Sequence, residues 1–268
     1  MTDFNTTLTV MENAAINAAR VLAKMQPKSK RLESRKDFLT DADLASEKVI
    51  LSALAAKFPD IPVLSEEKGG AETKEGYLWV VDPIDGTINF FLQDDHWGIS
   101  IALVKNGRTI AGVVYLPARG QMFSASSEHA ATCRLVGKKQ SAQTHIKVAT
   151  GGNLHDEQIW VEWGKEGHGG TDHAKVYDLL ERLDRHTLYP QIRNSTTATL
   201  MAVACGKIAG AVIPKPEPFD IAAAGLIVER AGGTVTDMSG KPWGPFSRSL
   251  VASNGLLRND LLRILKAD

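Results

Sequence analysis

Apolar residues recur at helical spacing over residues 8–25, where Leu8, Met11, Ala15, Ala18, Leu22 and Met25 fall close to one face. A second helix is predicted from near Thr40 to about Phe58, with Leu44, Leu51, Leu54 and Phe58 on its buried side and Pro59-Asp60 ending it. The polar, basic stretch between them, "QPKSKRLESRKD", reads as a loop or hairpin. From Ile61 the period shortens: "IPVLSEE" is a short strand, "KGGAETKEG" a polar loop and "YLWVV" a strand with no polar break. "GISIALV" and "TIAGVVYL" flank Asn106-Gly107, a strong hairpin signal, and "QMFSAS" adds another antiparallel strand. The first half therefore reads as two helices beside a mostly antiparallel sheet.

The second half alternates. Strands are predicted at "QIWVEW", "HTLYPQI", "GAVI", "TVTDM" and "SLVAS". Helices are predicted over about 172–184, about 196–205, "FDIAAAGLIVER" and 256–266, the third closed by Gly232-Gly233. No repeat, low-complexity segment or flexible linker divides the chain, so two intimate halves sharing a core are expected: an α+β half over 1–142 and an α/β half over 143–268.

Composition narrows the function. With 43% hydrophobic and 23% charged residues, the 268-residue chain has ordinary globular usage and is long enough to bury a large core. A formal net charge of +0 argues against a dedicated nucleic-acid binder. Cys133 and Cys205 stand apart with no metal-binding spacing, as reduced cytosolic thiols do. No signal peptide and no apolar run long enough for a membrane span is visible, so a cytoplasmic protein is expected.

The chemistry gathers around "LWVVDPIDGTINFF", where an apolar strand runs into Asp82 and Asp85. Further acids stand at predicted element ends: Asp41 and Asp43 at a helix start, Glu66 and Glu67 after a strand, Asp220 at a helix start. Hard divalent cations such as Mg²⁺ take oxygen ligands, and a two-metal site needs a bridging carboxylate. Pro83 fixes its own φ and restricts Asp82, which lowers the entropy cost of holding two anions close. Gly86 and Thr87, at a predicted helix start, offer backbone N–H groups to a phosphate. Each piece also has an ordinary structural reading. Thr40-x-x-Asp43 fits a capping box, Glu66-Glu67 a solvated loop, Asp82-Pro83 a turn and Asp220 an N-cap. It is their joint placement at element ends that favours a metal-assisted phosphate chemistry.

"WVVDPIDGTINF" closely resembles the first signature of the inositol monophosphatase family of Mg²⁺-dependent, lithium-sensitive phosphatases, and "FDIAAAGLIVERAGG" resembles its second. "LSEEKG" and "DFLTDAD" resemble its Glu-Glu and Asp-hydrophobic-Val-Thr-x-x-Asp elements, in the same order. The resemblance implies a layered α/β/α/β/α sandwich, usually a homodimer, acting on a small phosphate ester. It implies that Glu66, Asp82 and the Ile84 carbonyl hold one Mg²⁺, that Asp82 bridges to a second held by Asp85 and Asp220, and that a third, weaker ion sits near Glu66. Gly86 and Thr87 would receive the phosphate, Thr87 and Asp43 would position the attacking water, and Glu67 would support the site from behind.

The departures concern substrate. Many family members place an inositol-contacting Glu seven residues before the second-signature Asp, and here that position is Ile213; Phe219 replaces the usual Trp. Glu217 stands three residues before Asp220 as a possible substitute, on a rim stiffened by Pro214, Pro216 and Pro218. "FLQDDHWGIS" replaces the usual turn after Asn-Phe, so Asp94, Asp95 and His96 either line the entrance or form a solvated turn. In "IRNSTTATLMAVACG", Thr196 or Thr197 stands where the family has Gly, and Arg193 is a candidate for a substrate hydroxyl or phosphate, or for a structural ion pair. The basic stretch with Lys28, Lys30, Arg31, Arg35 and Lys36 would fold over the site or be a solvated charge run; His168 and His173 fit no metal pattern. Inositol-1-phosphate leads as substrate, with 3′,5′-bisphosphonucleotide, fructose-1,6-bisphosphate and histidinol phosphate as alternatives. A regulatory protein-binding role is the reading of another class.

Overall fold

The computed structural model describes residues 3–25, 35–137, 142–163 and 173–266, with side chains from 41 in the second span and from 174 in the last. Two sheets alternate with three helical layers. The first has seven strands in chain order: β1 (Val63–Ser65), β2 (Tyr77–Asp85), β3 (Gly98–Lys105), β4 (Arg108–Leu116), β5 (Gln121–Ser126), β6 (Thr132–Leu135) and β7 (Thr144–His145). Only β1 and β2 run parallel in it. The second has β8 (Ile159–Val161), β9 (Gly210–Ile213), β10 (Thr234–Thr236) and β11 (Leu250–Ser253), in the order β10-β11-β9-β8.

Period-two patterning assigns the strand faces. In β2 and β3, Trp79, Val81, Ile99, Ile101 and Leu103 point to one core, packed under α1 (Phe4–Lys24) and α2 (Arg35–Lys57). Leu78, Val80, Ala102 and Val104 point the other way, to α5 (Thr196–Ala204) and α6 (Pro218–Arg230). The short α3 (Thr87–Leu92) lies between β2 and β3 in the chain. Both inner strands are buried on both faces, which is why they read as unbroken apolar runs. Helix α6 is apolar all round because it lies between the sheets, and it approaches β4 so closely that a Cβ on Gly112 would sit 2.9 Å from the Ala223 carbonyl oxygen. Val212 and Val251 of the second sheet face outward onto α4 (His173–Asp184) and α7 (Arg258–Lys266). The expected α/β/α/β/α sandwich is what the chain forms. No helix among the described residues is long and apolar enough to cross a membrane.

One local expectation holds and others need correction. The hairpin at Asn106-Gly107 forms with both residues at positive φ, 50° and 73°, as a two-residue turn of this kind requires. Helix α2 begins at Arg35, so Thr40 lies inside it and starts nothing; Asp41 and Asp43 are interior helix residues, not end residues. "HTLYPQI" makes one isolated bridge, Gln191 to Trp160, in place of a strand. Strands β6 and β7 have no sequence signal, because their residues are half-buried or exposed and carry no alternation. Lys28, Lys30, Arg31 and His168, and the side chains of Arg35, Lys36 and His173, lie outside the described residues.

Candidate active site

The end of β2 carries the centre. Its pairing with β3 slips between Asp82 and Asp85, and this bulge turns both carboxylates toward one side of the strand end. Asp82 Oδ1 accepts the Ile84 N–H at 3.0 Å, closing the turn over Pro83. From α2, Ser46 Oγ donates to the Pro83 carbonyl at 2.9 Å and ties the turn to the helix that bears Asp43. On the opposite side, Asp85 Oδ2 accepts Ser195 Oγ and the Thr197 N–H, both at 2.6 Å. Ser195 caps α5, so the start of that helix is built around Asp85.

Asp220 arrives from α6. It is the third residue of that helix rather than its N-cap, a place held by Glu217, whose N–H donates to Asp220 Oδ2 at 2.9 Å. One carboxylate oxygen from each of Asp82, Asp85 and Asp220 lies within 4.8 Å of the others. Three such groups crowd together at an energetic cost unless a cation or protons compensate. Burial first, then Glu66, Asp85 and Asp220, raises the pKa of Asp82 well above the carboxylate range. Burial and then Asp85 do the same to Asp220, while the rise from burial at Asp85 is opposed by its bonds to Ser195 and Thr197. Asp43 is 4% exposed, its Oδ1 has no hydrogen-bond partner among the described residues, and burial with Glu67 and Glu66 pushes its pKa up to about 8. An all-oxygen donor set with an unpaired buried carboxylate oxygen beside it fits a hard divalent cation.

The turn after the acids is equally constrained. Gly86 has φ 85°, and a Cβ there would meet Ser195 Cβ at 3.0 Å, the His96 carbonyl at 3.1 Å and the Asn194 carbonyl at 3.2 Å. Thr87 opens α3 and donates its hydroxyl to the Ile84 carbonyl at 3.0 Å. Asn89, on the first turn, donates to the carbonyls of His96 and Arg193, both at 2.7 Å, and so clips two distant loops together.

Other expectations fall as follows. Glu66 is half-buried and Glu67 exposed just past β1, and Glu66 acts electrostatically on Asp43, Asp82 and Asp220. Ile213 is fully buried in the core between the sheets, so the position faces packing, not the site. Asp94 and Asp95 are exposed, but His96 is buried, which divides the expected turn in two. Arg193 makes no ion pair among the described residues; its guanidinium lies over the Trp160 ring, 5.5 Å from the centroid.

Sequence reasoning missed two buried acids. Glu47, one helical turn from Asp43, accepts Ser65 Oγ and the Lys68 N–H and so holds the loop that bears Glu66. Its signal was spacing: residues 43, 46, 47 and 50 share a helix face that is buried throughout. Glu162 follows β8, and its sequence pattern is that of a strand alone.

The inositol monophosphatase family description matches residues 3–267. The chain is 32% identical over 230 residues to the fructose-1,6-bisphosphatase/inositol-1-monophosphatase of Thermotoga maritima, covering 86% of this chain and 83% of that protein. It is 30% identical over 269 residues to Nus factor SuhB of Xylella fastidiosa, covering 96% and 93%. In structure it is similar to the inositol monophosphatase of Anabaena (Nostoc), with a TM-score of 0.84, 28% identity and coverage of 98% and 96%. Match length, fold and the order of the signatures agree, and the chain belongs to the inositol monophosphatase family, a family of phosphoric monoester hydrolases.

Proposed function

We propose that this chain hydrolyses a small polyol or sugar phosphate with the help of Mg²⁺, inositol-1-phosphate being the leading substrate. The observation that carries this reading is the convergence of Asp82, Asp85 and Asp220 oxygens within 4.8 Å, directly before the Gly86 turn. Glu66, Asp82, the Ile84 carbonyl, Asp85 and Asp220 would hold two or three Mg²⁺ ions. Bound there, Mg²⁺ supplies charge neutralisation for the phosphoryl group and leaving alkoxide and acidifies water.

The chain's own groups do the rest. Gly86 and Thr87 receive the phosphate through their backbone N–H groups, and the absence of a Cβ at Gly86 admits the oxygens. The Thr87 hydroxyl and the Asp43 carboxylate orient a water for in-line attack at phosphorus, and Glu66 helps hold that water in place. Positioning of this kind supplies much of the acceleration in phosphoryl transfer. Arg193 and Glu217 contact the rest of the substrate. Residues 1–142 bring most of the acids and 143–268 complete the site, in a lithium-sensitive, cytoplasmic homodimer.

Buried Ile213 offers no carboxylate to inositol, and the name of the Thermotoga maritima relative keeps fructose-1,6-bisphosphate in contention. The deciding assay is Mg²⁺-dependent phosphate release from inositol-1-phosphate, fructose-1,6-bisphosphate, adenosine-3′,5′-bisphosphate, histidinol phosphate and glycerol-2-phosphate, each with and without lithium. Preference for inositol-1-phosphate supports the reading; folded protein that binds Mg²⁺ yet releases no phosphate from any of them overturns it. The name of the Xylella fastidiosa relative favours a second, regulatory reading. Complementation of a phenotype by an inactive Asp85→Asn variant would support that one.

A further inference from the structure

Behind the strap 193–197 runs a buried hydrogen-bond chain that the hydrolytic chemistry does not use. At its outer end Arg119 pairs with Asp95 at 2.9 Å and places Nη2 3.1 Å from His96 Nδ1. His96 Nε2 lies 3.1 Å from Thr199 Oγ1, and Thr199 Oγ1 lies 2.6 Å from Glu162 Oε1. His96 and Glu162 are each 1% exposed and Thr199 is 0% exposed.

The direction of every bond follows from the guanidinium, which only donates. Facing it, His96 Nδ1 must accept, so a neutral ring carries its proton on Nε2. That proton goes to Thr199 Oγ1, and the single hydroxyl hydrogen of Thr199 goes on to Glu162 Oε1, which accepts it in either ionisation state; burial, against the Thr199 hydrogen bond, pushes the Glu162 pKa up to about 7. The groups facing His96 agree. Arg119 and Arg193 oppose a positive ring against Asp94 and Asp95, the Trp160 ring packs edge-on at 5.7 Å, and burial leads the shift that lowers its pKa to about 4.

Glu162 Oε1 also accepts the Arg193 N–H at 3.3 Å, while Asn89 holds the Arg193 carbonyl. Thr199 is two residues past Thr197, whose N–H holds Asp85, and its own N–H donates to the Ser195 carbonyl at 3.0 Å. We propose that Arg119, His96, Thr199 and Glu162 form a one-way chain that fixes the strap 193–197, with Thr199 and Glu162 as positioning residues for Asp85 and Arg193. Its effect on metal binding rests on the reading of Asp85 as a Mg²⁺ ligand.

Two measurements on the full chain test it, neither requiring turnover. Long-range ¹⁵N–¹H spectra of the metal-free protein at pH 7 should show His96 as the neutral Nε2–H tautomer; an Nδ1–H tautomer or an imidazolium overturns the chain. Calorimetric Mg²⁺ titration should show Thr199→Val weakened about tenfold and Thr199→Ser within about twofold of wild type. Wild-type Mg²⁺ affinity in Thr199→Val, even with a lowered Tm, overturns the positioning role. A wild-type protein that binds no Mg²⁺ removes the metal reading instead, and the tautomer then decides the chain alone. The tautomer also decides it if Thr199→Val does not fold.

Discussion

On the floor of the site, Asp82 and Asp85 leave the end of β2, Asp43 sits in α2 and Asp220 in the first turn of α6. Asp94, Asp95, Arg193 and Glu217 form the proposed rim: the first three sit on connecting loops, and Glu217 sits where a loop becomes a helix. The floor is held from several directions at once: Ser46 grips the Pro83 carbonyl, and Ser195 and Thr197 grip Asp85. Redundant clamps on regular elements keep charged groups in one arrangement despite their repulsion. On the proposed function the floor would carry the reaction and the rim would select what is brought to it, so substitutions on the two should differ in size and in kind.

The largest effect is expected from Asp85→Asn. The amide keeps the shape and can still accept from Thr197, so the fold should persist while a negative charge is lost. Phosphate release should fall on the order of a thousandfold or more. Removing one buried charge from a crowded cluster should at the same time raise the Tm of the metal-free protein, measurable by calorimetry. Turnover near wild type would remove Asp85 from the floor.

Gly86→Ala comes next. Its Cβ meets atoms at 3.0–3.2 Å in a left-handed backbone, so it should cost about 1–2 kcal/mol of stability and lower kcat/KM about ten- to a hundredfold by displacing the turn. Gly107→Ala is the control: φ is 73°, yet the nearest atom is 3.9 Å away, so it should lose comparable stability without losing activity. Equal activity losses in both would mean that crowding at Gly86 is irrelevant.

The floor's repulsion also has a pH signature. Carboxylates whose folded pKa is raised leave the folded chain holding more protons than the unfolded one. Their contribution is complete below the ordinary carboxylate range and is lost as pH rises, through about 8 for Asp43. Metal-free protein should thus lose about 1.4 kcal/mol per pH unit for each extra proton held, between about pH 4 and 8. Added Mg²⁺ should raise the Tm more at pH 8 than at pH 5, because it replaces those protons. A Mg²⁺ increment that shrinks with rising pH would contradict a buried cluster of this kind.

Floor and rim also differ in how far the sequence discloses them. Asp82 and Asp85 are legible because an apolar strand, a proline and a glycine mark the turn locally. Asp220 is legible because an apolar helix follows it. Asp43 is legible as a residue but not in place: Thr40 imitates a helix start, whereas α2 begins at Arg35. Glu47 and Glu162 look like ordinary helix and strand residues until distant segments close over them. The Asn89 clip joins residues 104 positions apart, and no local pattern encodes such a contact.

The smallest effect is expected from Glu217→Gln. Glu217 starts α6, and its backbone carbonyl accepts the Asp220 N–H at 3.2 Å while its N–H donates to Asp220 Oδ2, neither of which needs a charged side chain. The helix start should survive. If the carboxylate serves the substrate, KM should rise about two- to fivefold with kcat unchanged, the mark of an interaction made equally in ground and transition states. The increase should differ among sugar and polyol phosphates, since a rim residue reads hydroxyls and not the phosphoryl group. Should kcat instead fall with unchanged KM, and equally for every ester, Glu217 would act through Asp220, and the boundary between floor and rim would run one residue earlier than the loop.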